Sequence, residues 1–275
     1  MIKFSNIAAM TLITASMFFS LWPSHALAQN NIASEKMPQE SETKGAETEV
    51  NAPYNQFLAK YVSQKDGINL VAYDKVTDDD ERLLESYIEK LSQTDISEFS
   101  REQILAYWFN LYNAKTLDLI LDNYPIKSIR KIGFLTGPWD KDILTVRGQE
   151  MSLNNIEHDI VRKTYDEPRV HFAFNCASIG CPNLKKTAWE AQTLDADLTQ
   201  AAKDYILSAR GVSIEANGDI TVSSIFKWYK EDFGQSEADI ITYLATYAEG
   251  DKKAALEQAS EIEDYDYDWS LNITG

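Results

Sequence analysis

Cysteine and histidine are almost missing from this chain of 275 residues, which has two of the first and three of the second. With only Cys176 and Cys181, at most one internal disulfide can form, so a cysteine-rich scaffold is excluded. Basic residues are also in deficit: 26 Lys and Arg face 43 Asp and Glu, for a net charge of −17. A surface of that sign repels phosphate backbones and anionic lipid, so neither nucleic acid nor an anionic membrane surface is an expected partner. The one long apolar run, residues 7–22, is short for a membrane span and ends at Pro23. There are no internal repeats.

What is present begins with an export signature. Lys3 precedes the apolar run, and Ala26-Leu27-Ala28 offers a small-x-small cleavage site, so residues 1–28 are expected to be a signal peptide. No cysteine follows the run to carry a lipid anchor. The mature chain is expected to be periplasmic or secreted, without a membrane span and one unit more negative than the precursor. Its two remaining histidines are His158 and His171. Residues 29–50 are polar and read as a disordered leader. Residues 51–275 then read as one domain, because 44% hydrophobic residues, with 6 Trp, 14 Tyr and 11 Phe, can fill a substantial core.

Helical spacing from Ala52 places Tyr54, Phe57, Leu58 and Tyr61 on one face, and Gly67 to Tyr73 reads as a short strand. Leu84, Tyr87, Ile88 and Leu91 repeat the helical period. Ser100 with Gln103 makes a capping box for a helix from Arg101 to Asn123, stopped at Tyr124-Pro125. That helix is apolar nearly all round and is expected to be central, with Asn110 and Asn113 on one face. Buried amides usually satisfy nearby backbone, and the alternative is that one of them orients an imidazole or a substrate. Ile143 to Leu153 reads as a hairpin turning near Arg147-Gly148-Gln149. Ser152 or Asn154 then caps a helix to about Lys163, with Glu157 completing the box from Asn154. On it, Leu153, Ile156 and Ile160 form the apolar stripe, while His158 faces away with Asn154 and Arg162.

Further on, Asp195 to Ala209 is amphipathic, and Asn217-Gly218 marks a hairpin. Ile225 to Phe233 reads as an aromatic helix ended by Gly234, and another helix runs from Ser236 to about Ala248. The tail from Tyr265 to Asn272 alternates like a last strand. Helices and hairpins alternate irregularly, which argues for an α+β fold around a small, mostly antiparallel or mixed sheet.

The segment Arg169 to Leu184 holds both cysteines and His171. Its first half alternates, so a strand is expected with His171 on the face opposite Cys176. Three readings follow. Cys176 could act as the nucleophile of a thiol-dependent hydrolase or acyl transferase, with His158 as base and Asn110, Asn113 or Glu157 orienting it. Alternatively, Cys176 and Cys181 pair across the Gly180-Pro182 bend, giving a stapled binding module. So short a loop would gain only about 2 kcal/mol from the bond. A zinc site from both histidines and both cysteines fits no common spacing, so neither metal nor cofactor is expected. An unknown small molecule or peptide is the expected ligand. The rings of Trp228, Tyr229 and Phe233 read as core, and residues 261–268 as a solvated edge.

The segments A-Y-W-F-N-L-Y-N-A-K-T-L (106–117), S-L-N-N-I-E-H-D-I-V-R (152–162), V-H-F-A-F-N-C-A-S-I-G-C-P (170–182), F-K-W-Y-K-E-D-F-G (226–234) and Y-D-W-S-L-N (267–272) resemble the domain-of-unknown-function 547 family. The resemblance implies an exported member of a bacterial and eukaryotic family. It names no reaction.

Overall fold

The computed structural model describes residues 40–133 and 137–275; the expected signal peptide lies outside them. Helix α1 (Glu40–Tyr61) turns Tyr54, Phe57, Leu58 and Tyr61 into the core, as their spacing requires. It starts earlier than the leader assignment allowed, so residues 40–50 are helical. Glu and Ala are good helix formers even without an apolar face. Glu47 ties this part to the body by accepting the Ala191 N–H, and Asn51 accepts the Tyr87 hydroxyl.

Strands β1 (Val62–Lys65) and β2 (Ile68–Val71) form an antiparallel hairpin, with Val62 opposite Val71. Helices α2 (Asp78–Gln93) and α3 (Arg101–Leu121) follow. The capping box at Ser100 and Gln103 is formed, and almost every residue of α3 from Leu105 to Ile120 is buried. Strands β3 (Leu144–Val146) and β4 (Gln149–Met151) make the expected hairpin, and Arg147 and Gly148 take the positive φ of its two-residue turn.

The helix after this hairpin departs from expectation in its winding. Asn155–Arg162 is a π-helix, whose hydrogen bonds run i→i+5. Inward positions are therefore five apart, and Val161 joins Ile156 in the core in place of Ile160. Glu157 is carried inward with them. Ser152, not Asn154, makes the reciprocal cap, exchanging hydrogen bonds with Asn155.

The expected strand over 170–174 is instead a 3-10 helix, Pro168–Phe172, begun by Pro168 and capped by Glu167. The segment lies between two apolar clusters. Val170 and Phe174 belong to the larger one around α3, and Phe172 to a smaller one. Burial on every side removes the exposed face that alternation assumes.

Helix α4 (Leu194–Leu207) and a mixed sheet enclose the smaller cluster. In that sheet β5 (Val212–Ile214) pairs antiparallel with β6 (Ile220–Ser223), which pairs parallel with β7 (Asp264–Asp266). The expected aromatic helix is two single turns, α5 (Ile225–Trp228) and α6 (Lys230–Phe233), broken at Tyr229. Helices α7 (Glu237–Tyr247) and α8 (Gly250–Gln258) complete the chain before β7. The class is α+β. The strands form three small separate sheets in place of one. Among the described residues no helix is long and apolar enough to cross a membrane.

Candidate functional site

The cysteine loop is held from three directions. From α3, the Asn113 amide donates to the Ala173 carbonyl at 2.9 Å and accepts the Asn175 N–H at 2.8 Å. Asn175 in turn donates to the Pro182 carbonyl and accepts the Ala177 N–H, which closes the loop on itself. From the C-terminal side, the tail lies along the loop: Ile179 N–H donates to Ser270, Gly180 N–H to Asp268, and Asn272 N–H to Ala177. Gly180 is needed there, since a Cβ would stand 2.8 Å from the Asp268 nitrogen. Finally, Arg210 donates to the carbonyls of Ile179 and Cys181, and the Tyr205 hydroxyl to that of Gly180.

This frame presents two free thiols, with Cys181 buried and Cys176 half-buried. Their Sγ atoms are 2.6 Å apart, and the Cys176 N–H donates to Cys181 Sγ at 2.8 Å. Cys176 Sγ also meets the Tyr267 hydroxyl at 3.0 Å and Ser178 Oγ at 3.5 Å. Burial acts to raise the Cys176 pKa, but hydrogen bonding with Cys181, Tyr267 and Ser178 outweighs it, and the net direction is down. Burial and the negative charge developing on Cys176 push the Cys181 thiol up. The two thiols are therefore shifted in opposite directions.

Neither histidine is a hydrogen-bond partner of Cys176. His158 stays with Arg162, whose Nη1 donates to His158 Nδ1 at 3.2 Å, and it does not line the cavity described below. The expected His158–Cys176 pair is not formed, because the π-helix turns Glu157 inward and leaves His158 in a polar cluster on the flank. Nor does Asn110 approach the thiols. Its amide makes the same double clasp as Asn113, but on the backbone of Trp189. Both asparagines thus satisfy backbone.

His171 is the histidine that reaches the site. Its side chain is 1% exposed, stacked on Tyr229 at 4.2 Å between ring centres. Nε2 donates to Asp232 Oδ2 at 2.6 Å, and Arg162 grips the same carboxylate through Nε and Nη2. Burial disfavours the Asp232 charge, yet His171 and Arg162 hold its pKa well below the ordinary range. Burial also lowers the His171 pKa, with Asp232 opposing. Its Nδ1 is buried without a hydrogen-bond partner and faces Glu157 Oε1 at 3.9 Å. Glu157 itself is pushed up by burial, against the charge of His158 and hydrogen bonds from Tyr112 and Tyr229.

Thiols, imidazole and carboxylate line one cavity of about 260 Å³. Its walls are the rings of Tyr229 and of Trp139, Trp228, Tyr267 and Trp269, the last four touching at centroid distances of 4.6 to 5.6 Å along the tail side. Trp228, expected in the core, is 45% exposed at the rim, and Phe233 alone of its trio is fully buried. Among the described residues, no group of three or more His, Cys, Asp or Glu side chains could hold a metal ion. Sequence reading missed Asp232, Tyr267 and the tryptophans. The mismatch between a solvated, acidic tail and its repeated aromatics was the available signal.

Comparison with curated proteins and with solved structures finds no match. Three of the five family-like segments fall wholly within a matched region, while 226–234 and 267–272 lie beyond it. Residues 96–206, which span α3, the Glu157 π-helix and both cysteines, match the model of the family described as "Protein of unknown function, DUF547".

Proposed function

We propose that the chain carries out thiol–disulfide exchange through Cys176 and Cys181, on a ligand seated in the aromatic cavity. The observation that carries this reading is the polarised pair itself. Cys176 lines the cavity with a lowered pKa, and Cys181 lies 2.6 Å behind it with a raised one. A thiolate attacks and a neighbouring thiol resolves, and these two requirements are opposite.

In the forward direction the Cys176 thiolate attacks one sulfur of a substrate disulfide. The substrate S–S bond breaks, and its electron pair leaves with the other sulfur as a thiolate, which takes up a proton. Cys181 then loses its proton to solvent and attacks Cys176 Sγ, releasing the second substrate thiolate. The substrate gains two electrons and two protons, and the protein is left with a Cys176–Cys181 disulfide. A dithiol donor restores it, and the reverse sequence oxidises a substrate dithiol. Export to an oxidising compartment, expected from residues 1–28, would favour that reverse direction.

One observation favours a second reading, hydrolysis or acyl transfer at Cys176: His171, held by Asp232, lines the same cavity. Reduced protein incubated with a peptide disulfide separates the two. Cys181→Ser should accumulate a mixed disulfide on Cys176, seen by mass spectrometry, while Cys176→Ser forms none. Equal adduct in both variants would defeat exchange through this pair. Ester or amide turnover that survives Cys181→Ser but not Cys176→Ser or His171→Gln would establish the second reading instead.

A further inference from the structure

Glu157 poses a problem that thiol chemistry does not solve. Its carboxyl is buried at the base of the cavity, and among the described residues no Lys or Arg nitrogen lies within 4.0 Å of it. Arg162 acts on it only from a distance, being committed to Asp232 and Glu231. Among the described residues, His158 acts on it through charge, and the basic nitrogen within 4.0 Å of it is His171 Nδ1 at 3.9 Å. That atom is no donor in the neutral ring, because Nε2 carries the proton given to Asp232. Glu157 Oε1 and the buried, unpartnered His171 Nδ1 therefore face each other at 3.9 Å with no hydrogen bond between them. Burial makes the Glu157 charge costly, so a cation seated there would be held by the ionised carboxylate, and the buried lone pair calls for a donor.

The rest of the lining agrees. Among the described residues no Lys or Arg side chain lines the cavity, Asp140 stands at its rim, and the walls are tryptophan and tyrosine rings. Ring faces attract cations, most strongly where water is excluded, and the net charge of −17 adds a general attraction.

We propose that the cavity binds an organic ammonium group carrying N–H donors, such as a primary alkylamine or a lysine-like side chain. The nitrogen sits between Glu157 Oε1 and His171 Nδ1, and the alkyl stem lies against Trp139, Trp228 and Trp269. A nitrogen at ordinary hydrogen-bond length from both acceptors is compatible with their 3.9 Å separation. Quaternary ammonium satisfies the rings but neither acceptor. A neutral alcohol of the same length satisfies one acceptor and leaves the charge unmet.

Titration calorimetry of the native chain with n-butylammonium, n-butanol and tetramethylammonium tests this without reference to any activity, so it stands or falls separately from disulfide exchange. Butylammonium should bind at least roughly tenfold more tightly than either of the others, the scale of a desolvated charged contact. Glu157→Gln should erase the preference over butanol. Because that change touches a buried position, Trp228→Ala at the exposed rim is the companion variant, and it should weaken butylammonium several-fold with the fold intact. Equal binding of butylammonium and butanol, tighter binding of tetramethylammonium, or no binding of butylammonium overturns the proposal.

Discussion

Two asparagines on one helix make the same pair of hydrogen bonds in two places, and only one of the places is the thiol loop. Asn113 clasps Ala173 and Asn175, and Asn110 clasps Trp189 through both its N–H and its carbonyl. Truncating either to Ala leaves one buried N–H and one buried C=O unpaired, at about 1–3 kcal/mol each. Each variant should therefore lose about 2–6 kcal/mol, a large part of the 5–15 kcal/mol that holds a typical domain together. Urea unfolding measures that loss, and the two values should be comparable. Thiol reactivity should not be. Asn113 fixes the backbone immediately before Cys176, whose lowered pKa depends on the placement of Cys181, Tyr267 and Ser178. The pH midpoint for alkylation of Cys176, followed by mass spectrometry, should rise in Asn113→Ala and stay unchanged in Asn110→Ala. Should the Ala variant be too unstable to assay, Asn113→Asp retains the acceptor for Asn175 and loses the donor to Ala173, giving a smaller shift of the same sign. Equal midpoints in the two Ala variants would refute the claim that α3 sets the thiol loop.

Two further outcomes follow from the same geometry. Tyr267→Phe removes a hydrogen bond of 3.0 Å from Cys176 at the cost of one oxygen atom. A bond to a charged acceptor is worth about 1.5–3 kcal/mol, so the alkylation midpoint should rise by about one to two pH units, and no change would rule out Tyr267 as a stabiliser of the thiolate. For pH-dependent stability the deciding group is His171, whose folded pKa is lowered by burial, with Asp232 opposing and Arg162 adding to the lowering. The unfolded chain takes its proton near 6.5 and the folded one resists it, so the contribution is fully present above about 6.5 and is lost as pH falls toward the folded value. His158, also lowered by burial, acts with the same sign, and Glu157, raised by burial, acts oppositely at more acid pH. Denaturation midpoints should fall on acidification from neutrality, and His171→Gln should flatten the fall. A midpoint that rises on acidification in the native chain would contradict the sign.

The fold was legible where one physical signal dominated. The capping box at Ser100 and the apolar circumference of α3 specify a central helix, and Arg147-Gly148 and Asn217-Gly218 specify turns. It was illegible where two signals conflicted. Apolar alternation over 170–174 mimics a strand, while Pro168 starts a 3-10 helix and both sides are buried. A π-helix cannot be read from a spacing argument that assumes 100° per residue, and the strand alternation assumed over 170–174 is what moved the choice of base from His171 to His158. Export is an expectation from residues 1–28, which lie outside the described structure. The centrality of Cys176 and Cys181 was legible from their rarity. Their neighbours were not, because Tyr267 and Asp232 are 91 and 56 residues from Cys176 along the chain.

The same separation in sequence explains why the site is divided into two chemically independent halves. The thiols sit in a loop fixed by α3, Arg210 and the tail, and their polarisation comes from hydroxyl, thiol and backbone donors alone. The imidazole sits on the 3-10 helix, held by Asp232 from α6 and stacked on Tyr229. A Cys–His catalytic pair needs the imidazole to take the thiol proton directly. Here that proton is shared with Cys181, while His171 directs its bare nitrogen at Glu157. Lowering of a thiol pKa by a second thiol suits a reaction in which the second thiol must later act. In the proposed reading, the imidazole–carboxylate pair is thereby left free to bind the ligand.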